Sequence, residues 1–197
     1  MAARPQIQVD DEKPSVDSLI DENALLRASL SEMRDRLQDL ERIADTDTLT
    51  PLPNRRRFLR ELDRVVSQSN RHGTPAAVLY IDLNGLKAVN DKHGHVAGDA
   101  ALIHVARLLQ GLIRTSDVVA RIGGDEFGLI LDHLDHNSAI ETAERLGRCI
   151  ASNPLDVGGS SVRLNAAIGV ATIIPGDTSA DVMQRADRNM YRAKSEG

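Results

Sequence analysis

The apolar positions near the start of the chain recur every seven residues in two interleaved series. One series contains Leu19, Leu26, Met33 and Leu40, and the other contains Asn23, Leu30, Leu37 and Ala44. The two series alternate in steps of four and three, which is typical of a heptad seam with the first series at d and the second at a. We therefore predict a coiled-coil helix over residues 18–45.

The charges beside this seam favour a parallel dimer. In the same register Glu22 and Arg36 occupy g positions, whereas Arg27 and Glu41 occupy e positions, so a parallel partner would meet opposite charges. Asn23, at an a position, would pair with its own copy and fix the register at some loss of stability. The alternative is an amphipathic helix that packs on its own domain. Four heptads with matched flanking charges are more than such a helix requires, so the pattern favours the dimer. We expect this helix to form a parallel homodimer.

Composition divides the rest of the chain. Residues 1–17 are polar and acidic and carry two prolines, so we predict a flexible tail that cannot offset the entropy of ordering. Cap-type residues and two more prolines between Asp45 and Pro53 predict the end of the coiled-coil helix and a loop. Residues 46–197 then form the globular domain.

Helices and strands interleave in this globular domain, which predicts one sheet with helices packed on it. A helix capped by Asn54 is expected to run to residue 70. The further predicted helices span residues 85–91, 98–114, 138–151 and 179–195, and the predicted strands span residues 76–83, 118–122, 127–131 and 161–172. The segment over 76–83 is a compact apolar run that contains Asp82 near its end, which predicts a buried strand.

Charge and composition exclude several classes of protein. The formal net charge of -5 argues against a nucleic-acid-binding protein that relies on a broad basic surface. An anionic ligand would need a local cation, so a metal-assisted site is favoured. Cys149 is the single cysteine, which rules out an intramolecular disulfide. Since we find neither an apolar run of membrane-spanning length nor an apolar signal core, we expect a cytoplasmic protein that binds no membrane.

Acidic residues fall where two predicted strands end. Gly123 and Gly124 form the tip of a predicted hairpin and precede Asp125 and Glu126, so this tip allows close approach and carries negative charge. Asp82 ends the buried strand, where an unpaired carboxylate is unfavourable. Magnesium uses one or two carboxylates together with substrate phosphates. If the hairpin lies beside the strand, these acids can share a metal; a plain surface turn and a helix cap are the alternatives.

Five ordered blocks of sequence contain these acids. They are Asp82-Leu-Asn-Gly-Leu-Lys87, Asn90-Asp-Lys-His-Gly-His95, Gly98-Asp99, Arg121-Ile-Gly-Gly-Asp-Glu-Phe127 and Ala186-Asp-Arg-Asn-Met-Tyr-Arg-Ala-Lys194. Together they resemble the GGDEF family of diguanylate cyclases, over essentially residues 46–197. The resemblance implies an α+β fold with a central, mostly antiparallel sheet flanked by helices, similar to the palm of nucleotidyl cyclases and polymerases.

The resemblance also implies roles for single residues. Asp82, the backbone carbonyl of Leu83 and Asp125 would hold Mg²⁺ or Mn²⁺ on the phosphates of GTP. Glu126 would bind metal or activate the ribose 3′-hydroxyl. The implied phosphate contacts are Gly85, Leu86, Lys87, Gly123, Gly124 and Lys194, and the implied catalytic residues are Glu126, Asp125 and Lys87.

Guanine would be bound by Asn90 and Asp99, since a carboxylate accepts from the N1 and N2 donors of guanine; a helix cap is the other explanation of Asp99. Arg114 and Asp117 match an RxxD product site, which Arg145 would complete. An ion pair in solvent is the alternative explanation for Arg114 and Asp117.

These roles imply a reaction that needs two domains. Two GTP molecules would be joined into cyclic di-GMP between facing domains, and the coiled coil would supply the second domain. We therefore predict a diguanylate cyclase with feedback inhibition by cyclic di-GMP. An inert cyclic di-GMP sensor and a coiled-coil scaffold are the competing functions.

Overall fold

The computed structural model describes residues 15–196, which form two compact units that divide between Ala44 and Asp45. The first unit contains all but the last residue of helix α1, Val16–Asp45, which begins two residues before the predicted start. Residues 1–14 of the predicted tail lie outside the described residues. None of the helices in the described range has the length and apolar character needed to cross a lipid bilayer.

The predicted seam of α1 is exposed within the single chain. Among its members, Leu30 is 52% exposed, Leu37 59% and Leu40 62%. The charged residue Arg36 bonds within its own helix, to Glu32 at 2.7 Å. An apolar seam of this length is the surface that a coiled-coil partner covers, and the dimer stays a prediction.

The second unit is built on a four-stranded antiparallel sheet. Its helices are α2 Arg55–His72, α3 Leu86–His93, α4 His95–Leu112, α5 His136–Ser152 and α6 Ser179–Glu196, and its strands are β1 Ala76–Asn84, β2 Val118–Arg121, β3 Glu126–Asp132, β4 Leu155–Val157, β5 Ser160–Val162 and β6 Asn165–Thr172. The main sheet has the order β2-β3-β1-β6, and all three strand pairs are antiparallel. The predicted α+β fold class is confirmed.

Strand β1 lies inside the sheet and contributes to two cores. Leu79 and Ile81 belong to the cluster that contains buried residues of α4 and α5. Val78 and Tyr80 belong to the cluster that contains residues of α2 and α6. Because side chains alternate along a strand, Asp82, near the end of β1, lies on the same face of the sheet as Tyr80. Burial on both faces explains why this strand is a continuous apolar run rather than an alternating one.

Two predicted boundaries are wrong in informative ways. Residues 161–172 do not form one strand, because residues up to Val162 belong to β5, which pairs with β4 in a separate two-stranded sheet, and β6 begins only at Asn165. Helix α4 begins at His95 rather than at Gly98. Gly98 therefore lies inside the helix, and glycine at this position leaves space for Asn90, which a side chain there would overlap.

Helix α6 covers β6, which is an edge strand. Asn189 donates from Nδ2 to the carbonyl oxygen of Val170 at 2.8 Å, and Arg185 donates from Nη2 to the carbonyl oxygen of Thr172 at 2.8 Å. Arg185 also pairs with Asp177 at 2.5 Å, and this hydrogen bond holds the pKa of Asp177 below its usual value. Two carbonyl groups of the edge strand are therefore satisfied by side chains rather than by a further strand.

The contact between β6 and α6 predicts a strong effect of Gly169→Ala. A Cβ atom at Gly169 would lie 2.1 Å from both the carbonyl oxygen of Ala186 and the backbone nitrogen of Met190. Backbone atoms cannot move aside as a side chain can, so we expect the free energy of unfolding to fall by about 1–3 kcal/mol. Urea unfolding followed by circular dichroism measures this loss.

Gly147→Ala is the matched control. A Cβ atom there would lie 3.8 Å from Cδ1 of Ile168, an ordinary contact. Because Gly147 lies within α5, alanine is expected to leave stability unchanged or raise it by about 0.5–1 kcal/mol. Equal stabilities of the two variants would contradict the close approach of α6 to the sheet.

Candidate active site at the end of the central strand

The strand register brings the predicted acids together. Asp82 and Glu126 are direct partners across β1 and β3. The backbone N–H of Leu83 donates to the carbonyl oxygen of Asp125 at 3.0 Å, so the hairpin tip is attached to the end of the central strand. The predicted convergence of strand and hairpin is thus present in the backbone.

The side chain of Glu126 folds over the glycine turn. A Cβ atom at Gly123 would lie 2.0 Å from Oε2 of Glu126, so a side chain at this position would displace the carboxylate from its present place. Burial, together with the nearby carboxylate of Glu126, raises the pKa of Tyr80 to about 12. The Tyr80 hydroxyl therefore stays protonated at neutral pH and can donate to Glu126. Tyr80 lies two residues before Asp82 on the same strand, and this spacing could have predicted from the sequence that its hydroxyl lies near the acids.

A lysine ammonium group already lies against these acids. Lys194 donates from Nζ to Oδ1 of Asp82 at 2.6 Å. This hydrogen bond, and the further charges of Asp125 and Glu126, raise the pKa of Lys194 above its usual value. The negative charges of all three acids therefore act on this ammonium group. Lys194, which was predicted to contact phosphate, thus pairs with Asp82, which was predicted to bind metal.

The donor set fits a hard divalent ion that also binds phosphate. Among residues 15–196, no three His, Cys, Asp or Glu side chains form a ready-made metal cluster. Magnesium does not require such a cluster, since it commonly takes one or two protein carboxylates and completes its shell with phosphates and water. The ammonium group of Lys194 on Asp82 shows that this position favours a cation. Zinc, which prefers nitrogen and sulfur ligands, fits less well.

The predicted guanine pair lies on α3 and α4. The side-chain Oδ1 of Asn90 lies so close to Gly98 that a Cβ atom there would be 1.9 Å away. Asp99 is exposed and follows Gly98 within α4, so it is not the helix cap. Glycine at 98 therefore lets the Asn90 amide lie beside the residue that precedes Asp99.

The short loop between β1 and α3 carries the remaining predicted phosphate contacts. Gly85 precedes α3 with a φ of 77°, a left-handed conformation that favours glycine. Leu86 and Lys87 form the first turn of α3, and Lys87 is exposed. Within the described part of the chain, Lys87 forms no hydrogen bond or ion pair with the three acids, unlike Lys194.

The predicted product-site residues line one cleft of about 500 Å³. Arg114, Asp117 and Arg145 all contribute to its wall. The Asp117 carboxylate accepts from the backbone N–H of Arg114 at 3.0 Å, so it holds the turn, and the Arg145 guanidinium donates to the carbonyl oxygen of Leu112 at 3.3 Å. The simple alternative of a side-chain ion pair between Arg114 and Asp117 does not match this geometry.

Arg121 contacts the hairpin tip and Asp47 contacts Arg121, and neither residue was assigned a role from the sequence. Arg121 donates to the carbonyl oxygen of Gly124 at 2.7 Å from Nη2, and to Asp47 Oδ1 at 3.1 Å from Nη1. Asp47 and Arg121 are 74 residues apart in the chain. No repeat or spacing in the sequence indicates that they form a pair.

Comparison with known proteins finds relatives across most of the chain. The family model described as diguanylate cyclase, GGDEF domain, matches residues 44–197. The bifunctional diguanylate cyclase/cyclic di-GMP phosphodiesterase MucR of Pseudomonas aeruginosa is 41% identical over 162 residues, which are 81% of this chain and 23% of MucR. The diguanylate cyclase TpbB of the same organism is 40% identical over 184 residues, which are 88% of this chain and 41% of TpbB. The chain thus spans well under half the length of these relatives.

Solved structures show the same fold. The coiled coil and GGDEF domain of DgcB from Caulobacter crescentus, in complex with c-di-GMP, has a TM-score of 0.82 at 30% identity and covers 91% of this chain and 96% of that chain. Diguanylate cyclase SiaD from Pseudomonas aeruginosa, in complex with its activator SiaC, has a TM-score of 0.79 at 31% identity and covers 91% of this chain and 69% of that chain.

Proposed function

Because this chain belongs to the GGDEF-domain family of diguanylate cyclases, we propose that it is an active cytoplasmic cyclase that condenses two GTP molecules into cyclic di-GMP. The observation that carries the proposal is that Asp82, which pairs with Lys194 at 2.6 Å, lies directly opposite Glu126 in the sheet, beside the hydrogen bond that holds the Asp125 backbone. Three acids with one cation at the end of a central strand suit a site that binds metal and phosphate together.

The chemistry is a double nucleotidyl transfer. The 3′-oxygen of each GTP attacks the α-phosphorus of the other; in each of the two attacks one phosphodiester bond forms and one bond between the α-phosphorus and its bridging oxygen to the β-phosphate breaks. Two pyrophosphates leave. Mg²⁺ or Mn²⁺, when bound at Asp82, Asp125 and the Leu83 carbonyl, would offset the charge that develops on the phosphates. Glu126 would accept the 3′-hydroxyl proton.

The remaining residues bind and orient the substrate. Asn90 and Asp99 would pair with the Watson–Crick and N2 groups of guanine and leave unpaired groups against adenine, which disfavours ATP. Lys194 would transfer its contact from Asp82 to the phosphates once a metal neutralises the acid. Lys87, exposed on the first turn of α3, can reach phosphates bound beside Gly85.

A single domain holds only one of the two GTP molecules. We propose that the exposed seam of α1 joins two chains in a parallel coiled coil. Tethering converts the meeting of two half-sites into an intramolecular event with an effective concentration near millimolar for a short linker. The coil therefore serves catalysis as well as assembly.

Incubation with GTP and MgCl₂, followed by chromatography and mass spectrometry, tests the proposal. We expect cyclic di-GMP and pyrophosphate in a 1:2 molar ratio, as the balanced reaction requires, and no cyclic product from ATP. An inert sensor would bind cyclic di-GMP without forming it, and a scaffold would do neither. Absence of product from a dimeric, folded protein would refute the cyclase.

Feedback inhibition gives a separate prediction. Arg114→Ala removes a cation from the cleft that Asp117 and Arg145 also line. Loss of one charge-assisted contact of about 1.4 kcal/mol or more would raise the inhibitory concentration of cyclic di-GMP at least about tenfold. Initial rates measured against added product determine this value. The DgcB structure, solved with c-di-GMP, supports binding of product by such a domain.

The matched control is Arg107→Ala, which removes an exposed arginine from α4. Its inhibitory concentration should equal that of the unaltered protein. Unchanged inhibition in Arg114→Ala would assign any product inhibition to another surface.

A further inference from the structure

Arg121 connects the hairpin tip to a distant loop. It is the last residue of β2, and its Nε and Nη2 lie 3.2 Å and 2.7 Å from the carbonyl oxygen of Gly124. Its Nη1 lies 3.1 Å from Oδ1 of Asp47, and the two side chains are only 14% and 17% exposed. The planar guanidinium fork thus holds a carbonyl with one edge and a carboxylate with the other.

Asp47 is itself fixed by a turn. Its Oδ1 accepts from the backbone N–H and the hydroxyl of Thr50, both at 2.8 Å. Burial opposes ionisation of Asp47, but hydrogen bonds from Thr50 and Arg121 outweigh it and hold the pKa of Asp47 below its usual value. A charged Asp47 therefore remains available to Arg121 at neutral pH.

The loop that carries Asp47 is closed on itself. We name residues 45–54 the linker loop, because they directly follow the body of α1. The backbone N–H of Asp47 donates to the carbonyl oxygen of Leu52 at 2.9 Å, and the backbone N–H of Asn54 donates to the carbonyl oxygen of Asp45 at 2.8 Å. Strand β2 is attached to this loop, since the backbone N–H of Arg121 donates to the carbonyl oxygen of Pro53 at 3.0 Å. The linker loop and the hairpin therefore share both backbone and side-chain contacts.

These contacts fix the backbone on both sides of Asp125. The peptide unit between Gly124 and Asp125 is planar and trans, so a Gly124 carbonyl that faces Arg121 turns the Asp125 N–H to the opposite side. The next peptide unit is held by the Leu83 N–H, 3.0 Å from the Asp125 carbonyl oxygen. Two anchored peptide planes leave Asp125 little freedom to rotate.

We propose that Arg121 is a positioning residue for Asp125 and that Asp47 sets the orientation of Arg121. The inference rests on the proposed cyclase function and extends it, because it makes the geometry of the active turn depend on the linker loop. A shift of that loop that separates Asp47 from Arg121 would release the Gly124 carbonyl and misplace the acid. Through this ion pair, a conformational change in the segment after α1 would alter the position of Asp125.

Asp47→Asn and Arg121→Gln, alone and together, test the proposal in the full chain. Asparagine retains the oxygen that Thr50 contacts but lacks the charge for Arg121. We expect kcat for cyclic di-GMP formation to fall about 10- to 100-fold in each single variant, as small misplacements of reacting groups do. If Asp47 acts through Arg121, the double variant should match Arg121→Gln within about twofold. Multiplicative effects would overturn the proposal.

Asp177→Asn is the matched control. It breaks a comparably buried pair with Arg185 that lies at α6 and does not touch the hairpin. Its Tm should fall while kcat stays unchanged. If Asp47→Asn behaves in the same way, Asp47 has only a structural role and the proposal is wrong.

Hydrogen exchange separates this proposal from the cyclase proposal, since it needs no turnover. We expect faster amide exchange at Gly123 and Leu83, which bond to the carbonyl oxygens of Glu126 and Asp125, in Asp47→Asn but not in Asp177→Asn. Unchanged exchange in Asp47→Asn would refute the positioning role even in an active enzyme. Faster exchange would support that role even if the unaltered protein formed no cyclic di-GMP.

Discussion

Asp82→Asn is expected to reduce cyclic di-GMP formation at least about a thousandfold while the protein stays folded. Asparagine has the shape of aspartate but not the charge that attracts a divalent ion. If the ion and its orientation supply about 4 kcal/mol of transition-state stabilisation, their loss corresponds to about this factor in rate. Product formation at saturating GTP and MgCl₂ measures it.

Stability should change little in this variant. The carboxylate of Asp82 is a direct cross-strand neighbour of Glu126, and removing one of two adjacent like charges offsets the loss of its ion pair. Lys194, with 45% of its side chain exposed, can turn to water. A Tm within a few degrees of that of the unaltered protein is therefore expected.

Asp132→Asn provides the control at the opposite end of β3, where the acid neighbours His133 rather than the predicted site. It should keep full activity. An Asp82→Asn variant as active as Asp132→Asn would remove Asp82 from the mechanism and, with it, the main support for the proposed metal site.

Leu30→Glu combined with Leu37→Glu is expected to dissociate the proposed dimer and to lower cyclic di-GMP formation about a thousandfold at micromolar protein. Both leucines occupy a positions and are more than half exposed in the single chain, so buried glutamates would oppose each other across the seam. Loss of tethering replaces a near-millimolar effective concentration with the bulk concentration. The rate should then rise with the square of protein concentration, as initial rates across a dilution series would show.

Leu25→Glu is a stringent control for this double variant. Leu25 is 70% exposed on the same helix, but it occupies a c position, outside the seam. It should remain dimeric by analytical ultracentrifugation and fully active. Dissociation by Leu25→Glu, or a dimeric Leu30→Glu and Leu37→Glu variant, would contradict the predicted heptad register.

Local patterns predicted the elements that carry the site. The apolar run before Asp82 has the length and composition of a buried strand, and β1 is such a strand. Asn54 follows a proline-rich loop and precedes apolar residues at helical spacing, and it caps α2 by accepting from the N–H of Arg57. Two glycines before two acids indicated a turn, and the register places Glu126 opposite Asp82. Periodicity and capping chemistry suffice for such features because they depend on near neighbours in the chain.

Features that depend on distant neighbours could not be read in this way. Gly98 looked like a helix start, since glycine is unfavourable within a helix. Its actual role is to leave space for Asn90, which only the packing of α3 against α4 explains. The contact of Arg121 with Asp47 joins residues 74 positions apart, and the contact of Lys194 with Asp82 crosses an even longer stretch. The residues were visible in the sequence, but their partners were not.

The covering of β6 by Asn189 and Arg185 has a consequence for how two chains can meet. An open strand edge is a template on which a second molecule can add its own strand, and repeated addition leads to fibres. With the Val170 and Thr172 carbonyls already bonded to α6, such addition gains fewer hydrogen bonds. This border of the sheet is thereby protected from becoming a site of permanent association between two chains.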